Sequence, residues 1–147
     1  GCQLALSCDL VYASSTSRFA TPGVNIGLFC STPMVALSRN ASSKQSMEML
    51  LTGDLISADE AEKKGLINKS VSGEELENYL LEKAKKISSK SSTTLKIGKK
   101  AFYRQIEMPL DQAYEYASQV MVENMMDQDA KEGIEAFLEK RNPNWKK

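Results

Sequence analysis

Histidine is absent from the 147 residues of the chain. The commonest general base and zinc ligand is therefore missing, and with it any Ser/His/Asp or Cys/His catalytic arrangement within these residues. Cysteine is scarce, since Cys2, Cys8 and Cys30 are odd in number and no two have CxxC spacing. Their apolar surroundings predict reduced core residues of an intracellular protein rather than a disulfide or a metal site.

Long apolar runs and net charge are also lacking. No apolar segment approaches the ~18 residues of a membrane span, which predicts a soluble protein. The charges of nineteen basic and nineteen acidic residues cancel, so the protein has no net positive charge that would attract nucleic acid or an anionic membrane. A composition that is 41% hydrophobic is sufficient for the core of one domain, and a small neutral or locally anionic ligand is compatible with it.

The first residues begin inside an apolar pattern and without an initiator Met, so we expect the natural chain to begin upstream. Residues 2–8 fit a two-turn buried helix, and residues 10–13 favour a strand. Residues 19–21 predict a second short strand that Pro22 stops. Asp9 falls between helix and strand and is interpreted as a cap or turn residue.

From about residue 31 the pattern becomes helical. Ser42 or Ser43 caps a helix that ends at Gly53. This helix is predicted to place Met47, Leu50 and Leu51 on one face. A second helix opens with a capping box at Ser57 and Glu60 and closes at residues 63–65, and a third opens with a similar box at Ser72 and Glu75.

The last 50 residues predict a helical subdomain, with helices over residues 95–108, 110–126 and 127–140. One apolar stripe of this region is interpreted most simply as core, and the alternative is that the helices pack on another subunit. The stripe consists of Tyr114, Ala117, Val120, Met121 and Met125.

Four blocks of the sequence resemble the crotonase superfamily, the enoyl-CoA hydratase/isomerase fold. They are GCQLALSCDLVYAS, FATPGVNIGL, MEMLLTGDLISADEAEKKGLINKSV and EGIEAFLEKRNPNW. They occur in the family's order and are spread along the chain from residue 1 to residue 145. The resemblance implies an α/β fold, the C-terminal portion of a ClpP/crotonase-like spiral, with short strands followed by a helical assembly region.

In this fold residues 1–72 are expected to form the second part of the spiral core, and residues 73–147 the helical trimerisation region. The resemblance also implies a trimer or hexamer of identical chains, a mitochondrial location, and an acyl-CoA thioester as ligand with no further cofactor, metal, nucleic acid or membrane partner. Without the strands that cover its sheet, such a chain is expected to expose apolar edges.

By resemblance, the acyl site involves Gly1, Cys2, Gln3, Ala20, Pro22 and Gly23. Crotonases bind the thioester carbonyl with two backbone N–H groups that stabilise developing negative charge. The resemblance places one of these N–H groups just before Gly1 and the other further upstream. The two glutamates that hold the reacting water align with Gln3 and Gly23, and neither residue can exchange a proton near neutral pH.

Gly23 has a structural interpretation as well, because Pro22-Gly23 favours a type II turn with positive φ at the glycine. Under both interpretations, no residue of the site is assigned as catalytic. The nearby polar side chains are Thr21, Asn25, Cys30 and Ser31, and each is interpreted as structural.

Phe137 and Lys140 align by resemblance with residues that contact the adenine and phosphate end of CoA. A lysine is a suitable point charge for a phosphate. The tail KRNPNWKK, with four positive charges in eight residues, could instead bind nucleic acid or be a solvated terminus.

Three hypotheses follow. The first is an acyl-CoA-binding homologue of fatty-acid or lipid metabolism in which hydratase activity is weak or absent. The second is an enzyme of different acyl-CoA chemistry, such as a decarboxylase or thioesterase. The third is a non-catalytic structural or regulatory homologue without a ligand.

Overall fold

The computed structural model describes residues 1–146, which divide into two compact units. The first comprises residues 1–82 and the second begins at Lys83. The division falls ten residues after the predicted boundary between residues 72 and 73 and lies within a helix. Short strands mix with helices in the first unit, and helices dominate the described part of the second, so the α/β prediction is confirmed.

The first unit begins with the five-residue helix α1 (Cys2–Leu6). The strands β1 (Tyr12–Ser14) and β2 (Arg18–Phe19) follow, and then a short 3-10 helix (Pro22–Ile26). The next elements are α2 (Ser31–Ser38), α3 (Ser43–Thr52), β3 (Ile56–Ser57), α4 (Ala58–Lys63) and β4 (Lys69–Val71). Helix α5 (Leu76–Ser88) contains the division, and the second unit continues with α6 (Ser92–Gln105), α7 (Leu110–Met125) and α8 (Gln128–Leu138).

Two small pairings organise the strands of the first unit. β1 pairs in parallel with β4, with Tyr12 opposite Lys69, and β2 pairs antiparallel with β3, with Phe19 opposite Ile56. Helices pack around these pairs because the intervening segments supply buried apolar side chains. The core of this unit consists of Leu6, Ala13, Phe19, Leu37, Met49, Leu50, Ile56, Ala58, Ala61, Leu66 and Ile67.

Local capping signals predict the helix ends well. Ser42 and Gln45 form a capping box at the start of α3, which ends at Gly53 in the left-handed conformation. Ser57 and Glu60 form the predicted box of α4. In the turn before α5, the Ser72 hydroxyl oxygen accepts a hydrogen bond from the Glu75 amide, and the helix itself begins at Leu76, later than the predicted opening at Ser72. Each of these contacts joins residues three positions apart, so the local sequence is sufficient to predict it.

The apolar face predicted for α3 is only partly buried. Leu50 is buried as expected, but Met47 and Leu51 are exposed, and Met49 and Ser46 are buried instead. Apolar residues occupy several sides of this helix, so the pattern does not determine its rotation, and packing against the rest of the unit does.

The prediction of a buried two-turn helix at residues 2–8 is also wrong. Helix α1 has five residues, of which only Leu6 is buried, and Leu4 is exposed. All three cysteines are free, as predicted, but Cys8 is exposed and not a core residue.

The apolar stripe of α7 is not core within the chain. Tyr114 is 70% exposed, and Met121 and Met125 are also exposed, whereas Ala113 is buried. Helix α7 therefore packs its Ala113 side inward, where Val120 is half-buried, and turns the rest of the stripe outward, which corrects the core interpretation. None of the helices in residues 1–146 combines the length and apolar content needed to cross a membrane.

Candidate functional site

Gly1 and Gln3 lie at the start of the first unit on α1. Gly1 occupies the N-cap position, and its carbonyl accepts a hydrogen bond from the Ala5 amide at 3.0 Å. The Gln3 carbonyl accepts bonds from the Ser7 amide at 3.1 Å and the Ser7 hydroxyl at 2.9 Å. Gln3 is exposed, so its side-chain amide is accessible to a ligand or to water. An amide can orient such a group but cannot transfer a proton to it near neutral pH.

Cys2 connects α1 to the segment that follows β2. Its side chain is half-buried and packs against the core. Burial raises the pKa of the Cys2 thiol, and a hydrogen bond with the Ala20 backbone opposes that rise in part. The structure thus brings two of the predicted site residues, Cys2 and Ala20, into contact. A thiol with a raised pKa stays protonated near neutral pH and is a poor nucleophile.

Thr21 is a structural residue. It is 2% exposed, and its hydroxyl donates a 3.0 Å hydrogen bond to the Met49 carbonyl on α3. This bond satisfies a buried polar group and fixes the start of the 3-10 helix to α3. This contact agrees with the prediction that Thr21 has a structural role.

The predicted type II turn at Pro22-Gly23 is wrong. Pro22 is the first residue of the 3-10 helix and Gly23 is the second. In residues 1–146, the glycines with positive φ are Gly27, Gly53 and Gly65, and Gly23 is not among them. Proline favours the first helical position because its φ is already suitable and its missing N–H would have no intrahelical partner there. The reason for a glycine at position 23 must therefore lie elsewhere.

That reason is the close approach of residues 28–30. A Cβ atom built on Gly23 would lie 2.5 Å from the Leu28 carbonyl oxygen and 2.8 Å from Cys30 Sγ. The Gly23 amide donates to Cys30 Sγ at 3.2 Å, and its carbonyl accepts from the Leu28 amide at 2.9 Å. Glycine is the residue that permits such an approach. The position aligned with a family glutamate is therefore closely packed, a feature that the sequence pattern did not reveal.

The other polar side chains near this segment have structural surroundings. The Ser31 hydroxyl donates to the Phe29 carbonyl at 3.3 Å. The Asn25 amide lies about 3 Å from the point where a Cβ on Gly53 would stand. Neither group is ionised near neutral pH, so neither replaces a carboxylate.

The predicted CoA-contacting residues belong to the second unit. Phe137 is 81% exposed and lines an apolar groove of about 530 Å³ that Ile134 and Trp145 also line. Lys140 follows the C-cap of α8, is exposed, and has a φ of 55°. Its amide donates to the Phe137 carbonyl at 3.2 Å. An exposed aromatic ring and an exposed ammonium group thus lie one helical turn apart.

Carboxylates of α8 and of its C-cap residue accept hydrogen bonds from the residues that follow the helix. Arg141 donates to both oxygens of Glu132, at 2.6 and 3.1 Å, and also pairs with Glu139. The Asn144 amide donates to Glu132 at 2.7 Å. The hydrogen bond from Arg141 is the main reason that the pKa of Glu132 falls to about 2.

Because Arg141 is paired and the Trp145 indole N–H donates to the Ser89 carbonyl at 2.8 Å, this tail offers less free charge and aromatic surface than its sequence suggests. The nucleic-acid alternative loses support accordingly.

Comparison with known sequences identifies relatives along the whole chain. Residues 1–147 match the sequence profile of the family described as "Enoyl-CoA hydratase/isomerase". "Enoyl-CoA hydratase domain-containing protein 3, mitochondrial" from Mus musculus is 55% identical over 145 residues, which are 99% of this chain and 48% of the relative. The Homo sapiens protein of the same name is 51% identical over the same shares. The chain therefore spans about half the length of the curated relatives it matches.

Comparison with solved structures also identifies enoyl-CoA hydratase relatives. A crystal structure of an enoyl-CoA hydratase from Mycobacterium smegmatis matches with a TM-score of 0.96 and 49% identity, over 99% of this chain and 56% of that one. Human enoyl-coenzyme A hydratase domain-containing protein 3 matches with a TM-score of 0.95 and 51% identity, over 98% and 57%. The sequence LFCSTP and the Pro22-Gly23 pair favour this member among the relatives, and the comparisons confirm that likeness. The chain belongs to the enoyl-CoA hydratase/isomerase family, the crotonase family that its four sequence blocks resemble.

Proposed function

We propose that this protein binds acyl-CoA thioesters and has little or no hydratase activity. The observation that carries the proposal is the pair of positions aligned with the family glutamates. Position 3 holds a glutamine, and position 23 holds a glycine packed against the Leu28 carbonyl and Cys30 Sγ. General acids and bases typically contribute ~10²–10⁴ in rate, so loss of both carboxylates removes most of the acceleration of hydration.

Binding of a thioester does not require the two carboxylates that hydration requires. The thioester carbonyl is held by backbone N–H groups in this family, and such donors do not depend on the residues replaced here. Gln3 contributes an exposed amide that can hydrogen-bond to a ligand. Lys140 supplies a positive charge for a phosphate, and Phe137 supplies an aromatic face for an adenine ring.

Mitochondrial fatty-acid or lipid metabolism is the proposed setting, since the mouse and human relatives are named mitochondrial. We also propose that the protein assembles as a trimer or hexamer. The exposed stripe of α7 supports assembly, because a surface that carries Tyr114, Met121 and Met125 in solvent is energetically unfavourable unless a partner covers it.

Calorimetric titration of the full-length protein with acetyl-CoA, crotonyl-CoA and octanoyl-CoA tests the proposal, together with a hydration assay on crotonyl-CoA. We expect saturable binding and no hydration above background. Lys140→Ala should weaken binding, whereas Lys131→Ala, which alters an exposed lysine elsewhere on α8, should not. Rapid hydration by the pure protein would refute the proposal, and so would titrations without heat for every ester.

A second candidate is an acyl-CoA enzyme of different chemistry, such as a decarboxylase or thioesterase. The exposed Gln3 amide favours it, because an amide can orient a thioester without transferring a proton. Incubation with a panel of acyl-CoA esters should then show consumption of at least one, and Gln3→Ala should change its rate. A panel that remains unconsumed would contradict this candidate while leaving the binding proposal intact.

A further inference from the structure

The loop of residues 27–30 joins the 3-10 helix to α2 and packs directly on Gly23. Ordinary contacts of a carbon atom begin near 3.4 Å, but a Cβ on residue 23 would meet the Leu28 oxygen at 2.5 Å and Cys30 Sγ at 2.8 Å. The nearer obstacle is a backbone atom, which cannot rotate away as a side chain can. Any side chain at position 23 therefore requires the loop to move.

The loop resists such movement because it is bonded at both ends. Leu28 donates its amide hydrogen to the Gly23 carbonyl at 2.9 Å, and Cys30 Sγ accepts from the Gly23 amide at 3.2 Å. Cys30 is also tied to α2, since its carbonyl accepts from the Met34 amide at 2.8 Å. Opening the loop would break the two bonds to Gly23 and disturb the first turn of α2.

We propose that the loop of residues 27–30 excludes a carboxylate from position 23 of the acyl site and thereby keeps the site from gaining hydratase chemistry. The loop conformation therefore permits only glycine at position 23, and a different residue there would require a different loop conformation. Restoring glutamate at positions 3 and 23 would not restore hydration, since the second carboxylate has no space. The inference rests on the proposed function only in assigning position 23 to the acyl site, and the steric contact is independent of it.

The first test is thermal unfolding of the full-length protein carrying Gly23→Ala. We expect a lower Tm than that of the wild type. The matched control is Gly98→Ala on α6, where a Cβ has no neighbour within 4 Å and alanine favours the helix, so its Tm should be equal or higher. An unchanged or raised Tm for Gly23→Ala would overturn the proposal.

A double-mutant cycle tests the part played by Cys30. Removing Sγ with Cys30→Ala eliminates one of the two short contacts, so Gly23→Ala should lower the Tm by less in the Cys30→Ala background than in the wild type. Equal Tm losses in both backgrounds would refute the involvement of Cys30.

Activity supplies an independent measurement. The variant with Gln3→Glu and Gly23→Glu should hydrate crotonyl-CoA no faster than the wild type, and its Tm should be lowered as well. A gain of hydratase activity or an unchanged Tm in this variant would overturn the proposal. If the wild type fails to bind CoA esters, the proposed function fails, but the Tm comparisons still decide whether the loop excludes side chains at position 23.

Discussion

Ser91 and Asp129 belong to separate helices and share a buried 2.6 Å hydrogen bond, in which the Ser91 hydroxyl donates to Asp129 Oδ2. The Ser91 oxygen also accepts from the Thr94 amide at 3.1 Å and so caps α6. Asp129 in turn accepts from the Lys146 amide at 2.9 Å. One serine therefore starts a helix and connects it to the end of the chain.

Ser91→Ala should destabilise the second unit because it removes both bonds. Loss of the cap alone costs about 1 kcal/mol, and the buried carboxylate that loses its donor adds to this. Urea unfolding measures the change, with Ser92→Ala at the exposed neighbouring residue as the control. Equal stabilities of the two variants would contradict this role.

Stability should fall with acid through Glu132. Its folded pKa is about 2, against an ordinary value of 4.5, so the unfolded chain binds the proton more readily. The stabilisation from Glu132 is therefore complete above pH 4.5 and is lost as the pH falls toward 2. Glu132→Gln should be less stable than the wild type at neutral pH, and the difference should shrink across this interval.

Urea unfolding at several pH values from neutral to acid measures this dependence. Glu135→Gln, which removes an exposed carboxylate elsewhere on α8, is the matched control for the loss of one negative charge. A difference between Glu132→Gln and the wild type that is constant with pH would disprove the assignment.

Lys140→Gly should stabilise the protein while weakening the proposed binding of CoA. A φ of 55° is unfavourable for lysine and suits glycine, so the substitution should raise the free energy of unfolding by about 1 kcal/mol. Lys140→Ala removes the same charge but keeps a Cβ in the left-handed region. The two variants should therefore lose CoA affinity equally and differ in stability, and a Lys140→Gly variant no more stable than Lys140→Ala would argue against backbone strain.

Met121→Lys should prevent the proposed assembly of the full-length protein into trimers or hexamers. The residue is exposed on the apolar stripe of α7, and an interface there would bury an unpaired ammonium group in the variant. Light scattering coupled to size-exclusion chromatography measures the mass, and Gln119→Lys, on a different side of α7, is the control. An unchanged oligomer in Met121→Lys would exclude this stripe from the interface.

The sequence predicts the helix boundaries because their signals are local. The box at Ser57 and Glu60 involves residues three apart, and the left-handed Gly53 ends α3 where expected. The helix predicted from residue 95 starts earlier, at Ser92, because Ser91 caps it within a serine-rich stretch that holds several possible caps.

The surroundings of a side chain depend on tertiary contacts, and the sequence predicts these surroundings less well than it predicts helix boundaries. Nothing in the string PGVNIGLFC indicates that Cys30 and the Leu28 carbonyl lie against Gly23, because the approach results from a loop that returns over seven residues. The alignment with the family identifies position 23 as important. The space beside it is filled by Leu28 and Cys30, which only the tertiary structure shows.

The parallel pairing of β1 with β4 has a kinetic consequence. Tyr12 and Lys69 are 57 positions apart, and closing so long a loop costs roughly 3–4 kcal/mol of chain entropy before the ladder forms. The first unit is therefore expected to fold slowly, with this pair among its last contacts. Until they meet, both strand edges remain unpaired, and this interval is when the nascent chain is most vulnerable to aggregation.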